Sequence, residues 1–154
     1  MQRRAILALG SNLGDRVNFL REAVAAVPDL VAVSPVYETD PIGGPDEQGP
    51  YLNMTVELHT TMGPWELLDL CRSLERAAGR KRIVHWGPRT LDCDVVWIDG
   101  IAMIEQDLVV PHPRYRERTF VLAPLWHIAP DLVPDDFDLA AAAGVYLLGP
   151  LERL

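Results

Sequence analysis

Between residues 51 and 60 apolar and polar positions alternate without a break. Leu52, Met54, Val56 and Leu58 share one face of an extended chain and Tyr51, Asn53, Thr55, Glu57 and His59 the other, which is the period of a strand packed on one side. The run Ala5 to Leu9 has no polar alternation and stops at Gly10-Ser11-Asn12, as a central strand entering a turn would. Asp15 then predicts the cap of a helix carrying Val17, Leu20, Val24 and Val27 at helical spacing, closed by Pro28. Residues 30–37 read as a strand in which Pro35 removes a ladder donor, so an edge or a bulge is expected there. Residues 39–50, rich in glycine and proline, read as a long loop. Pro64 opens a second predicted helix with the stripe Leu67, Cys71, Leu74 and Ala78, and Gly79 stops it. A second loop, 80–90, precedes a strand over 91–98. Asp99-Gly100 is a hairpin turn, after which 101–110 is predicted to return as another strand. Residues 117–128 predict a helix ending before Pro130, and 131–154 a peripheral turn and short helix.

The order strand, helix, strand, strand, helix, strand predicts an α+β chain. With short connections and right-handed crossovers it becomes a ferredoxin-like βαββαβ antiparallel sheet with both helices on one face, plus extra C-terminal strand and helix elements. If Leu52, Met54, Val56 and Leu58 face the helices, Tyr51 and Asn53 face away from them. In the later strand Cys93, Val95 and Trp97 are expected toward the helices, leaving Asp92 and Asp94 on the open side. One uncovered sheet face then gathers an aromatic ring, an amide and two carboxylates.

Size fits a single domain over 1–154: the chain has 154 residues, 49% of them hydrophobic. The formal charge of −8 opposes binding to a nucleic acid backbone or an anionic membrane, so neither is expected as a partner. There is no run of 18 apolar residues and no leader pattern, since Arg3 and Arg4 lead straight into a short strand. Cys71 and Cys93 form no CxxC and sit in apolar stretches, which predicts buried free thiols and a reducing cytoplasm.

Charge placement changes the picture most. Asp92 and Asp94 open an apolar strand on the same face, their Cα atoms roughly 6–7 Å apart. A dication would relieve their repulsion, and hard carboxylate oxygens suit Mg²⁺, which completes its shell with water and substrate phosphates. Neighbouring arginines could also satisfy a solvated acid pair. Arg72, Arg76, Arg80, Lys81, Arg82 and Arg89 place six of the fourteen basic residues directly before the acids, and Arg114, Arg116 and Arg118 follow them. Arginines in a glycine- and proline-bearing loop can be aimed bidentately at phosphate oxygens, so the combination points to a polyphosphate–Mg²⁺ site. Neither GxxxxGK[ST] nor GxGxxG after a strand occurs, so phosphate is not held by either fingerprint.

Seven stretches together resemble one family, the 2-amino-4-hydroxy-6-hydroxymethyldihydropteridine pyrophosphokinases of folate synthesis. They are ALGSNLGD (8–15), SPVYET (34–39), PYLNM (50–54), LER..GRKR (74–82), WGPRTLDCD (86–94), VPHPRYRERTFVLAPL (110–125) and IAPDL (128–132). The resemblance implies transfer of the β,γ-diphosphate of ATP to the hydroxyl of 6-hydroxymethyl-7,8-dihydropterin, releasing AMP. It implies that Asp92 and Asp94 hold two Mg²⁺ ions, that Arg82 and Arg89 neutralise the phosphates, and that Arg80 and Trp86 support their loop. Glu75, His112 and Arg118 fall on the nucleotide side by the same matching. On the pterin side Asn53 would meet the pyrimidine edge, Tyr51 and Phe120 would sandwich the ring, and Gly10, Thr39, Pro41 and Ile42 would complete the pocket. Asp40, and His85 before Trp86, depart from the usual pattern. His59 and His127 read as structural.

With the reaction that the resemblance implies, the glycine- and proline-rich loops 39–50 and 80–90 are expected to close over bound ATP and exclude water. A monomer is expected, with a dimer as the alternative. Two other functions compete: a metal-dependent nucleotide hydrolase, and a ferredoxin-like module that senses a ligand without turnover.

Overall fold

The computed structural model describes residues 1–40, 49–79 and 90–154. Within them the chain forms β1 (Arg3–Ser11), α1 (Arg16–Ala26), β2 (Leu30–Val33), β3 (Val36–Thr39), β4 (Tyr51–Thr60), α2 (Pro64–Ala77) and β5 (Asp92–Ile98). After these come β6 (Met103–Ile104), β7 (Val109–Val110), α3 (Thr119–Ile128) and β8 (Val145–Gly149), with short 3-10 turns between them. The sheet order is β5-β1-β4-β3-β8, with β2 also pairing β4, and every pairing is antiparallel. Up to β5 this is the ferredoxin-like arrangement that the element order predicts.

Local signals set the helix ends. The Asp15 carboxylate accepts the Asn18 N–H at the start of α1, and Pro64 opens α2, where the Glu66 carboxylate accepts the Gly63 N–H. Leu20 and Ala23 from α1, Val27 just after it, and Leu67, Cys71 and Leu74 from α2 are buried with Leu7, Leu9, Leu52, Met54, Val56, Leu58, Cys93 and Val95 of the sheet. The stretch 30–37 divides at Ser34-Pro35 into β2 and β3. There Ser34 donates its N–H to the Thr55 carbonyl and its hydroxyl accepts the Thr55 N–H, so a side chain carries the ladder across the break.

Four expectations need correction. The face turned away from α1 and α2 is not open, because α3 lies on it and buries Val121, Leu122 and Leu125 with Ile6 and Val96. Those two strand residues are apolar on the far face, and a third helix is needed to take them out of water. Trp97 does not face α1 and α2. A bulge in β5, where Ile6 pairs with Trp97 and Leu7 with Val95, gives Val96 to the α3 side and packs Trp97 there too. Residues 101–110 form a separate ladder of two pairs, Met103 with Val110 and Ile104 with Val109, instead of a strand of the main sheet. The chain end supplies β8, which pairs with the outer edge of β3 and meets backbone groups that a peripheral helix would have left bare. No helix among the described residues is long and apolar enough to cross a membrane.

Candidate active site

Strand register places the chemistry. One row across the α3 side of the sheet runs Asp92, Gly10, Asn53, Tyr37, and the next runs Asp94, Ala8, Thr55. Three strand spacings separate the acids from β3, roughly 14 Å. In this stretch the sheet face opens into a cleft of about 390 Å³, a volume suited to a small organic substrate. Ala8, Gly10, Asn53, Tyr51, Thr39, Phe120, Asp92, Asp94 and Arg118 all line it. All of these but Ala8 are residues expected at the site from the sequence.

Asn53 and Gly10 are one device. The Asn53 amide nitrogen donates to the Thr39 hydroxyl at 2.6 Å, both residues being buried. A methyl group built on Gly10 would lie 2.6 Å from the Asn53 carbonyl oxygen, nearer than such atoms approach. The glycine thus leaves the space into which the amide is turned, and the carbonyl oxygen and second amide hydrogen are held ready for a planar ring carrying both donors and acceptors. Tyr51 and Phe120 are half-exposed rings of the same cleft, and the Arg118 guanidinium stands 5.5 Å from the Phe120 centroid.

Between the aspartates, Cys93 points to the opposite face and is buried, its sulfur 3.0 Å from that of Cys71. Both are free thiols, as the sequence predicts. Burial first, then Cys71, Asp94 and Glu75, push the Cys93 thiol well above its ordinary range and keep it protonated. Glu75 does not line the cleft. Its carboxylate is buried on α2 and accepts the Cys93 N–H at 3.0 Å, satisfying a donor on the edge strand midway between the two acids.

His112 also lies off the cleft surface. Its N–H donates to the Val96 carbonyl, and its Nδ1 accepts the Arg114 N–H at 3.2 Å, so Nε2 carries the proton of the neutral ring. Burial, then the positive charges of Arg118 and Arg114, lower its pKa to about 4. Two further histidines among the described residues have protein partners: His127 Nε2 is hydrogen-bonded to the Tyr37 hydroxyl at 2.7 Å, and His59 lies 3.1 Å from Glu57. Burial lowers the His127 pKa and raises that of Tyr37, consistent with a neutral pair.

Arg80, Arg82, Trp86 and Arg89, together with Pro41 and Ile42, lie outside the described residues, and so does the expected closure of the two loops. Three charged lining residues were not assigned to the site from the sequence: Asp40, Arg114 and Glu117. The basic cluster around Arg114 was visible, but which of its members reach the cleft was not. Arg116 goes elsewhere, stacking 4.7 Å from the Tyr115 ring centroid. No group of three or more metal-ligating side chains occurs among the described residues. The carboxylates of Asp92 and Asp94 would suit an ion that takes two carboxylate ligands and completes its shell with water and phosphate.

A family model described as 7,8-dihydro-6-hydroxymethylpterin-pyrophosphokinase matches residues 6–130. A Bacillus subtilis protein named 2-amino-4-hydroxy-6-hydroxymethyldihydropteridine pyrophosphokinase is 48% identical over 133 residues, covering 83% of this chain and 79% of that protein. A Pseudomonas aeruginosa protein of the same name is 38% identical over 160 aligned positions, covering 100% of this chain and 98% of that protein. Among solved structures, Plasmodium falciparum HPPK-DHPS superposes with a TM-score of 0.63 at 16% identity. That match covers 88% of this chain and 41% of that longer one, and is a likeness of fold. Full-length identity to named relatives, together with a model match over most of the sequence, shows that the chain belongs to the 7,8-dihydro-6-hydroxymethylpterin-pyrophosphokinase family.

Proposed function

We propose that this protein transfers a diphosphate from ATP to the hydroxyl of 6-hydroxymethyl-7,8-dihydropterin in folate synthesis. The hydroxyl oxygen forms a bond to the β-phosphorus, the bond between that phosphorus and the α–β bridging oxygen breaks, AMP departs with the bridging oxygen, and the hydroxyl proton passes to solvent. The observation that carries the reading is a single cleft with a carboxylate pair at one end and, two strands away, an amide held by Thr39 beside two aromatic rings. Mg²⁺ bound by Asp92 and Asp94 would supply charge neutralisation to the phosphates. Asn53 would orient the pterin by its pyrimidine edge, Tyr51 and Phe120 would hold the ring plane, and Arg118 would draw phosphate toward the acids. With the reactants so aligned, positioning and electrostatics account for the rate without a dedicated base.

Incubation with MgATP, with and without the pterin alcohol, tests the proposal by following AMP. AMP formed only with pterin supports the transferase. Pterin-independent release would favour a nucleotide hydrolase, and no release at all a ligand-sensing module. A hydrolase leaves the amide and the two rings without a purpose, and a sensing module leaves the acid pair and the arginines without one. The arginines and tryptophan of 80–89, Arg80, Arg82, Trp86 and Arg89, belong to the same proposal on the nucleotide side. Hydrogen exchange with a nonhydrolysable ATP analogue checks them: unchanged protection of that segment on binding would remove them from the site.

A further inference from the structure

We infer that Arg114 is a phosphate-binding residue of this site, gripping the nucleotide's phosphate chain together with Arg118; the inference rests on the transferase reading above. Several arginines elsewhere in the described chain are occupied by the protein itself. Arg4 pairs with Asp131 and Asp99, Arg16 with Glu38, Arg21 donates to the carbonyls of Leu151 and Leu154, and Arg116 stacks on Tyr115. Arg114 lines the cleft, and among the described residues its guanidinium has no ion pair or hydrogen bond. Its backbone, by contrast, is fixed from both sides. The Arg114 N–H donates to His112 Nδ1 at 3.2 Å, and its carbonyl accepts the Glu117 N–H at 3.0 Å. His112 in turn donates its N–H at 2.9 Å to the Val96 carbonyl of β5, the strand that begins with Asp92 and Asp94. The neighbouring Tyr115 is fully buried and its hydroxyl donates to the Leu132 carbonyl at 2.9 Å.

A rigid main chain that presents an unpaired guanidinium to a cleft ending in two carboxylates is an arrangement in want of an anion. The planar fork can take two oxygens of one phosphate while the carboxylates remain with the cation side of the same ligand. The positive charges of Arg114 and Arg118 already act on this neighbourhood, because both lower the pKa of His112. A neutral His112 keeps Nδ1 as the acceptor that fixes Arg114, so a phosphate ligand would enter a site whose cations are oriented before it arrives.

Calorimetric titration of a nonhydrolysable ATP analogue with MgCl₂ into the intact wild-type chain, Arg114→Gln, Arg114→Lys and the remote control Arg153→Gln tests this. Arg114→Gln is expected to weaken the analogue roughly tenfold, as loss of a charge-assisted pair does. Arg114→Lys should recover part of that loss by keeping charge without the fork, and Arg153→Gln should bind as wild type. Pterin binding, followed by fluorescence, should be unchanged in all four, which separates lost phosphate contact from lost fold. Arg114→Gln that binds the analogue as tightly as wild type overturns the assignment. So does an equal loss of affinity for pterin. Wild-type protein that ignores the analogue refutes the transferase reading itself.

Discussion

Gly10 matters for the atom it lacks. Replacement by Ala puts a methyl group 2.6 Å from the Asn53 carbonyl oxygen and 3.4 Å from the Tyr51 ring, and the amide must swing out of its bond with Thr39. Gly10→Ala is therefore expected to weaken pterin about as much as Asn53→Ala, with nucleotide affinity retained. Asn53→Ala should cost on the order of tenfold or more in pterin affinity, because the ring's own donors and acceptors lose partners worth ~1–3 kcal/mol once desolvated. A fluorescence titration in which Gly10→Ala binds pterin normally would break the link between the two residues. Asp92→Ala and Asp94→Ala are each expected to abolish turnover while circular dichroism and thermal unfolding stay close to wild type. Near-normal AMP formation by either variant would remove the metal assignment. Asp92 and the Asn53 amide were readable residue by residue, since strand alternation sorts faces without any tertiary information. The roles of Glu75 and Arg114 were not, because each depends on a partner far off in the chain or on a turn whose geometry no short pattern specifies.

At the level of elements, β5 is where local pattern and three-dimensional structure part company. Its first three residues alternate as expected, and then the bulge at Val95-Val96 hands two successive side chains to the α3 side. The exposed edge of β5 at Cys93 is closed by Glu75 from α2, so the spacing of the two acids depends on a helix as well as on the strand. Glu75→Ala leaves a buried N–H without its partner and should destabilise the fold by ~1–3 kcal/mol. Glu75→Gln, which keeps an acceptor in place, should lose distinctly less. Chemical denaturation of the two variants decides the point, and equal losses would show that the charge of Glu75 is what counts. β8 was the element least visible beforehand. A short apolar segment near the chain end gains strand character only when an open edge, here β3, supplies its hydrogen-bond partners.

For the molecule as a whole, α3 turns a two-layer sheet into a three-layer one and confines the cleft to the part of the face that it leaves uncovered. His112 gives this scale a pH signature. Its folded-state pKa of about 4 lies below the ordinary histidine value, so between about 6.5 and 4 the unfolded chain binds the proton more readily than the folded one. Stability should be unaffected by His112 above that window and should fall as pH is lowered through it. After discounting for partial exposure, the loss is on the order of 1 kcal/mol. Thermal unfolding at pH 7 and pH 4.5 for wild type and His112→Asn measures it: the variant should lose less on acidification, and an identical loss would mean that the proton is taken up elsewhere. What the amino-acid order determined by itself was whatever has a short period or a compact motif. This includes the βαββαβ order, which face of β4 is apolar, the acid pair, and the stretches that carry the family resemblance. The covering of the far face, the bulge that turns Trp97 over, the joining of β8 to β3 and the approach of Arg114 to the cleft were decided only by the tertiary structure. Each of these needs a partner distant in the chain, and burial and hydrogen-bond satisfaction are settled between surfaces that no local window contains.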